Sequence, residues 1–104
     1  MSDGTPDWRL DGFLDRADLW IERECPSSGL RVVVLDWVMT RYDDPYRGVY
    51  REPTLPNLWY GPVPGTDVDG TVVVCSYWIE EAARTVHCCD ISTLDRAPGP
   101  APNW

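Results

Sequence analysis

Two segments, Thr71–Ile79 and Thr85–Ile91, read as strands joined across Glu80-Glu81-Ala82-Ala83, and this hairpin constrains the chain more than any other feature. A tight turn pairs Ile79 with Arg84 and Cys75 with Cys88. Side chains alternate across a strand, so Val73, Cys75, Tyr77 and Ile79 then share a face with Val86 and Cys88. That apolar face requires cover. The opposite face shows Ser76, Trp78, Thr85, His87 and Cys89, a more polar surface with an aromatic on it.

Cover is available upstream. Trp8 to Phe13 alternates as a short strand, with Trp8, Leu10 and Gly12 on one side. The period then lengthens: Phe13, Ala17, Trp20 and Ile21 fall on one helical face, Asp15 and Asp18 suit the positive end of the helix dipole, and Cys25-Pro26 stops the helix. Ser27 and Ser28 are natural N-caps for a second helix carrying Leu30, Val33, Val34, Trp37, Val38 and Tyr42 in one stripe, up to Asp43-Asp44-Pro45. The β-branched run Val32-Val33-Val34 argues for a strand instead, but the stripe spans three turns between caps and favours the helix. Asn57 to Val63 is a strand that Pro62 sends to an edge or a bulge. The expected fold is α+β in the order β-α-α-β-β-β, a helical hairpin packed on one face of a small antiparallel sheet. One domain is expected over 8–96, between a loose N-terminus (1–7) and an extended Pro-rich tail (97–104).

Charge and composition exclude several chemistries. Among 104 residues there are nine basic side chains, all arginine, against seventeen acidic ones, for a net charge of −8. Without lysine there is no Schiff-base nucleophile, no phosphate-loop lysine and no lysine base. One histidine, His87, falls short of the imidazole set of most catalytic zinc sites, and no Cys-x-x-Cys pair exists, so neither a metal nor a cofactor is expected. Arginine without lysine, with many Pro and Val, is also what codon bias in a high-G+C bacterium such as an actinobacterium produces. The first twenty residues lack a basic start and an apolar core, so a cytoplasmic location with no membrane partner is expected, and the four cysteines are expected as free thiols.

The order of elements, together with several local phrases, resembles the RelE/ParE superfamily of toxin–antitoxin toxins. The phrases are the strand-to-helix entry Trp8 to Trp20, the helix end Asp43-Asp44-Pro45-Tyr46, Leu58-Trp59-Tyr60, the hairpin Val72 to Glu81, and Arg84-Thr85-Val86-His87. The resemblance implies mRNA cleavage on the ribosome or inhibition of DNA gyrase, with neutralisation by an antitoxin segment. Ribosome-dependent members place basic residues on the strand corresponding to Leu58–Val63 and on the next one. Here those strands offer Tyr60, Pro62 and Val74 instead, and of the terminal basic and aromatic residues only Arg96 has a counterpart. General acid–base cleavage of RNA is therefore disfavoured.

Two surface features remain. Arg41, Arg47 and Arg51 lie close in sequence with Tyr42, Tyr46 and Tyr50 interleaved among them, the combination that single-stranded RNA recognition uses, although Asp43, Asp44 and Glu52 offset its charge. If the protein is a nuclease, Arg47, Arg51 and Arg96 are its candidate catalytic groups. Tyr46, Trp59, Tyr60, Trp78 and His87 are candidate binding residues. The expected function is a toxin-type module that binds the translation machinery or gyrase and is neutralised by a partner protein. The alternative is an acidic, immunity-type inhibitor that binds a basic protein.

Overall fold

The computed structural model describes residues 8–95. The elements run β1 (Arg9–Asp11), α1 (Phe13–Glu24), α2 (Ser28–Thr40), β2 (Tyr50–Arg51), β3 (Leu58–Pro62), β4 (Thr71–Glu80) and β5 (Thr85–Asp95). They form one five-stranded sheet in the order β1-β5-β4-β3-β2, with both helices on one side. The protein is an α+β domain of helices packed on a sheet.

Local chemistry accounts for the helices. Gly12 enters α1 with φ of 79°, a left-handed conformation that glycine adopts freely, and Cys25 leaves it in the same region before Pro26. Ser27 caps α2, its side chain accepting the Leu30 N–H at 3.2 Å. The buried residues Phe13, Ala17 and Trp20 of α1 meet Val34 and Val38 of α2 over Val73, Cys75, Tyr77, Ile79, Val86 and Ile91 of the sheet. Trp20 is wholly buried, and its indole N–H donates to Thr93 Oγ1 at 2.9 Å, so this large ring leaves no orphan donor.

The sheet corrects the expected register. Its turn is longer than a tight one: Glu80 pairs with Thr85, Arg84 turns at φ of 50°, and its N–H reaches the Glu81 carbonyl. Ile79 therefore faces Val86 rather than Arg84. A second slip lies between the pairs Ser76–Asp90 and Tyr77–Cys88, where Cys89 is the extra residue of a bulge. Cys75 accordingly opposes Ile91, not Cys88. Unbroken alternation from Cys88 would carry the Asp90 carboxylate into the core. The bulge reverses the phase, so Ile91 is buried and Asp90 exposed.

The sheet is mixed rather than antiparallel throughout, because β1 runs parallel to β5, pairing Arg9 with Thr85 and Asp11 with His87. One further strand, β2, lies on the far edge against β3. Gly61 permits this approach, since a Cβ there would sit 3.0 Å from Val49 Cγ1 and 3.1 Å from the Gly48 carbonyl oxygen. The segment 96–104, which holds Arg96, the Pro-rich stretch and Trp104, and the segment 1–7 lie outside the described residues.

One polar network ties α2 to the sheet. Arg41, 2% exposed, donates from Nη1 to the Tyr77 hydroxyl at 3.0 Å and to the Arg47 carbonyl at 2.8 Å. The Tyr77 hydroxyl in turn donates to the Pro45 carbonyl. Burial drives the Tyr77 phenol up to about 12 even with the arginine beside it, so it remains a donor at any ordinary pH. Tyr77→Phe keeps the ring but strips partners from a buried guanidinium and a carbonyl. A loss of about 1–3 kcal/mol is expected, read as a lower urea midpoint with unchanged slope.

Candidate functional surface

The helices cover one face of the sheet, and no element of the described residues covers the other. Alternation along β3, β4 and β5 sends Tyr60, Ser76, Trp78, Glu80 and His87 to that uncovered face, and parallel pairing brings Asp11 beside His87. Tyr60 is 39% exposed, Trp78 38% and Tyr50 62%. The rings of Tyr50 and Tyr60 pack as a tilted pair, 6.1 Å between centroids. An aromatic band thus crosses β2, β3 and β4.

Beside it lies a charged group built by three strands. His87 donates from Nδ1 to Asp11 Oδ2 and from Nε2 to Glu80 Oε1, both at 3.0 Å. Only the imidazolium can donate from both nitrogens, so the hydrogen bonds to Asp11 and then to Glu80 raise the His87 pKa above its usual value. In its protonated form, with both N–H groups engaged, this imidazole offers no lone pair to a metal or to a substrate proton. It holds two carboxylates in place at the surface.

Burial, then the neighbouring Cys88, pushes the Cys89 thiol up, while a hydrogen bond with the Trp78 indole works the other way. Cys75 is held protonated by its hydrogen bond with Cys88 and by burial. All four cysteines are free thiols, and the described residues contain no cluster of three or more His, Cys, Asp or Glu able to hold a metal ion.

The remaining candidates fall in three places. Trp59 points to the helix side and packs against the core, where Tyr46 stands edge-on between Trp8, 5.9 Å away, and Trp59, 5.0 Å away. Desolvation and a hydrogen bond from its hydroxyl to Glu81 raise Tyr46 to about 12. These two aromatics are packing residues more than surface anchors. Arg41 is likewise withdrawn from the arginine and tyrosine patch into the interior, where its N–H groups meet the Tyr77 hydroxyl and the Arg47 carbonyl. Arg47 and Arg51 are exposed but are not brought together with the His87 group. Arg51 pairs with Trp59 across the β2–β3 ladder, so it takes the opposite parity from Tyr50 and Tyr60.

Sequence reasoning put Trp78 and His87 on the uncovered face and named Tyr60 as an exposed aromatic, and the structure places all three there. Sequence reasoning missed Asp11 and Glu80 as partners of His87. The signal was their shared parity with His87, unreadable until β1 was known to run parallel beside β5. No protein-family model matches the chain, and no curated protein matches it either.

The sign of the pH dependence follows from the geometry. A histidine whose folded pKa is raised stabilises the fold fully below its unfolded value near 6.5, and that contribution is lost as pH rises through the higher folded value. Asp11→Asn is expected to move the His87 imidazole titration, followed by proton NMR, down toward 6.5. It is also expected to flatten stability across the same pH interval. An unmoved titration contradicts the assignment.

Proposed function

We propose that the protein is a RelE/ParE-like module that acts by binding a macromolecular partner, without ribonuclease chemistry, and that the uncovered sheet face is its contact surface. The observation that carries this reading is the aromatic band of Tyr50, Tyr60 and Trp78 next to the paired carboxylates Asp11 and Glu80. Tyrosine and tryptophan bury large area at small entropic cost, which is why they dominate binding energies at interfaces. The strand positions where cleavage would need cations hold Tyr60, Pro62, Val74 and Ser76. Acidic and aromatic groups together fit a protein with exposed arginine or lysine, through ion pairs and cation–π contacts, better than they fit an RNA backbone. A protein component of the translation machinery or gyrase meets that description, and so does a neutralising partner.

The net charge of −8 favours a second reading, an immunity-type inhibitor of a basic protein with no toxicity of its own. Inducible expression in a bacterial host separates the two. Under the first reading the wild type arrests growth, and the folded double variant Tyr60→Ser/Trp78→Ser does not. Wild-type expression without arrest favours the inhibitor, which then associates with its basic partner at a rate that falls steeply with added salt. Cleavage of mRNA on purified ribosomes by the wild type overturns the absence of nuclease chemistry.

A further inference from the structure

On the helix side of the sheet, away from the uncovered face, lies a recess of about 320 Å³ lined by Trp37, Thr40, Arg41, Arg47, Gly48 and Pro64. Its charge is unusual. Both ionic groups are arginines, and no carboxylate lines it.

Arg41 is 2% exposed, yet it has no ion-pair partner among the described residues. Its contacts are neutral. Nε and Nη2 reach Thr40 Oγ1 at 3.2 and 3.0 Å, Nη1 reaches Tyr77 and the Arg47 carbonyl, and the guanidinium carbon stands 4.2 Å from the Trp37 ring centroid. A guanidinium has five N–H donors, so one hydrogen on Nη2 is left without an acceptor. Asp44, in the adjoining loop, uses its carboxylate to accept the Tyr46 backbone N–H at 3.0 Å and forms no ion pair with Arg41. The Arg47 side chain has no hydrogen bond or ion pair among the described residues.

A buried charge without a counterion is costly, and an anion within hydrogen-bond reach offsets that cost. Guanidinium groups pair with phosphate oxygens through short, charge-assisted and often bidentate bonds. Two arginines match the two charges of a phosphate monoester dianion. Trp37 and Pro64 supply an apolar wall for the group that carries it.

We propose that this recess is an anion site that takes a phosphate monoester with a small apolar or aromatic body, Arg41 being the fixed anchor and Arg47 the mobile clamp at the mouth. The net charge of −8 repels anions from the molecule at large, so uptake here reports the local arginine pair.

The test is calorimetric titration of the full chain at low ionic strength with phenyl phosphate, inorganic phosphate and benzoate. The expected result is saturable one-to-one binding of phenyl phosphate, tighter than that of inorganic phosphate and of benzoate. Arg47→Ala is expected to weaken it about tenfold or more, the scale of one charge-assisted hydrogen bond, and Arg47→Glu to abolish it. Arg47 is exposed, so both variants keep the fold, and an unchanged melting temperature without ligand verifies this. Arg41→Lys retains the charge but loses the fork, and is expected to weaken binding if it folds. The proposal fails if phenyl phosphate does not saturate, if the Arg47 variants bind like the wild type, or if benzoate binds as tightly as phenyl phosphate.

Discussion

Everything in the fold that meets at the end of α2 meets on the Arg41 guanidinium and the Tyr77 hydroxyl. Tyr77 stands on the central strand β4, Arg41 follows the last turn of α2, and the carbonyls of Pro45 and Arg47 belong to the loop that leads to β2. One buried donor set therefore fixes a helix end, a loop and the sheet relative to one another. Hydrophobic burial alone would not do this, because apolar packing is not directional, whereas a guanidinium fork accepts few geometries. The loop held in this way delivers Val49 close to Gly61, and so lays β2 along β3.

The two faces of the sheet divide the chemistry. On the covered face, polar groups are matched in the interior: Trp20 to Thr93, Thr66 between the Val63 carbonyl and the Val73 N–H, and no buried side-chain polar atom without a partner among the described residues. On the uncovered face the polar groups are organised but wet, as the Asp11–His87–Glu80 group shows. The first arrangement makes a rigid scaffold. The second leaves side chains positioned by strands, and therefore in fixed geometry, while still open to a partner.

Much of this was legible in the sequence because it is local. The helices follow from apolar spacing and from Ser27, and the inward set Val73, Cys75, Tyr77 and Ile79 follows from a period of two. The Cys89 bulge left a trace, since simple alternation puts Asp90 in the core, but that conflict does not say which residue is extra. The fate of Arg41 was not legible: a guanidinium at a helix end, between Thr40 and Tyr42, reads equally as surface or interior until its acceptors are known. The His87 group was hidden for a different reason, because Asp11 is 76 positions away and its approach depends on a parallel pairing that no turn specifies. Two residues of β2 are too few to show any period.

Strand β5 runs well past β1, which pairs only with Thr85 to His87, and among the described residues no strand takes its outer edge from there on. The C-terminal turn of α1 fills the gap with side chains: Arg23 donates to the Ile91 carbonyl at 3.0 Å, and Glu24 accepts the Thr93 N–H at 3.3 Å. Each imitates one rung of a ladder that a further strand would make. An exposed strand edge is a template on which a strand of another chain pairs side by side, and side chains occupying its rungs hinder that first pairing step. Arg23 and Glu24 thus withhold two rungs from any incoming strand, at a stretch of this edge that, among the described residues, the short first strand leaves open.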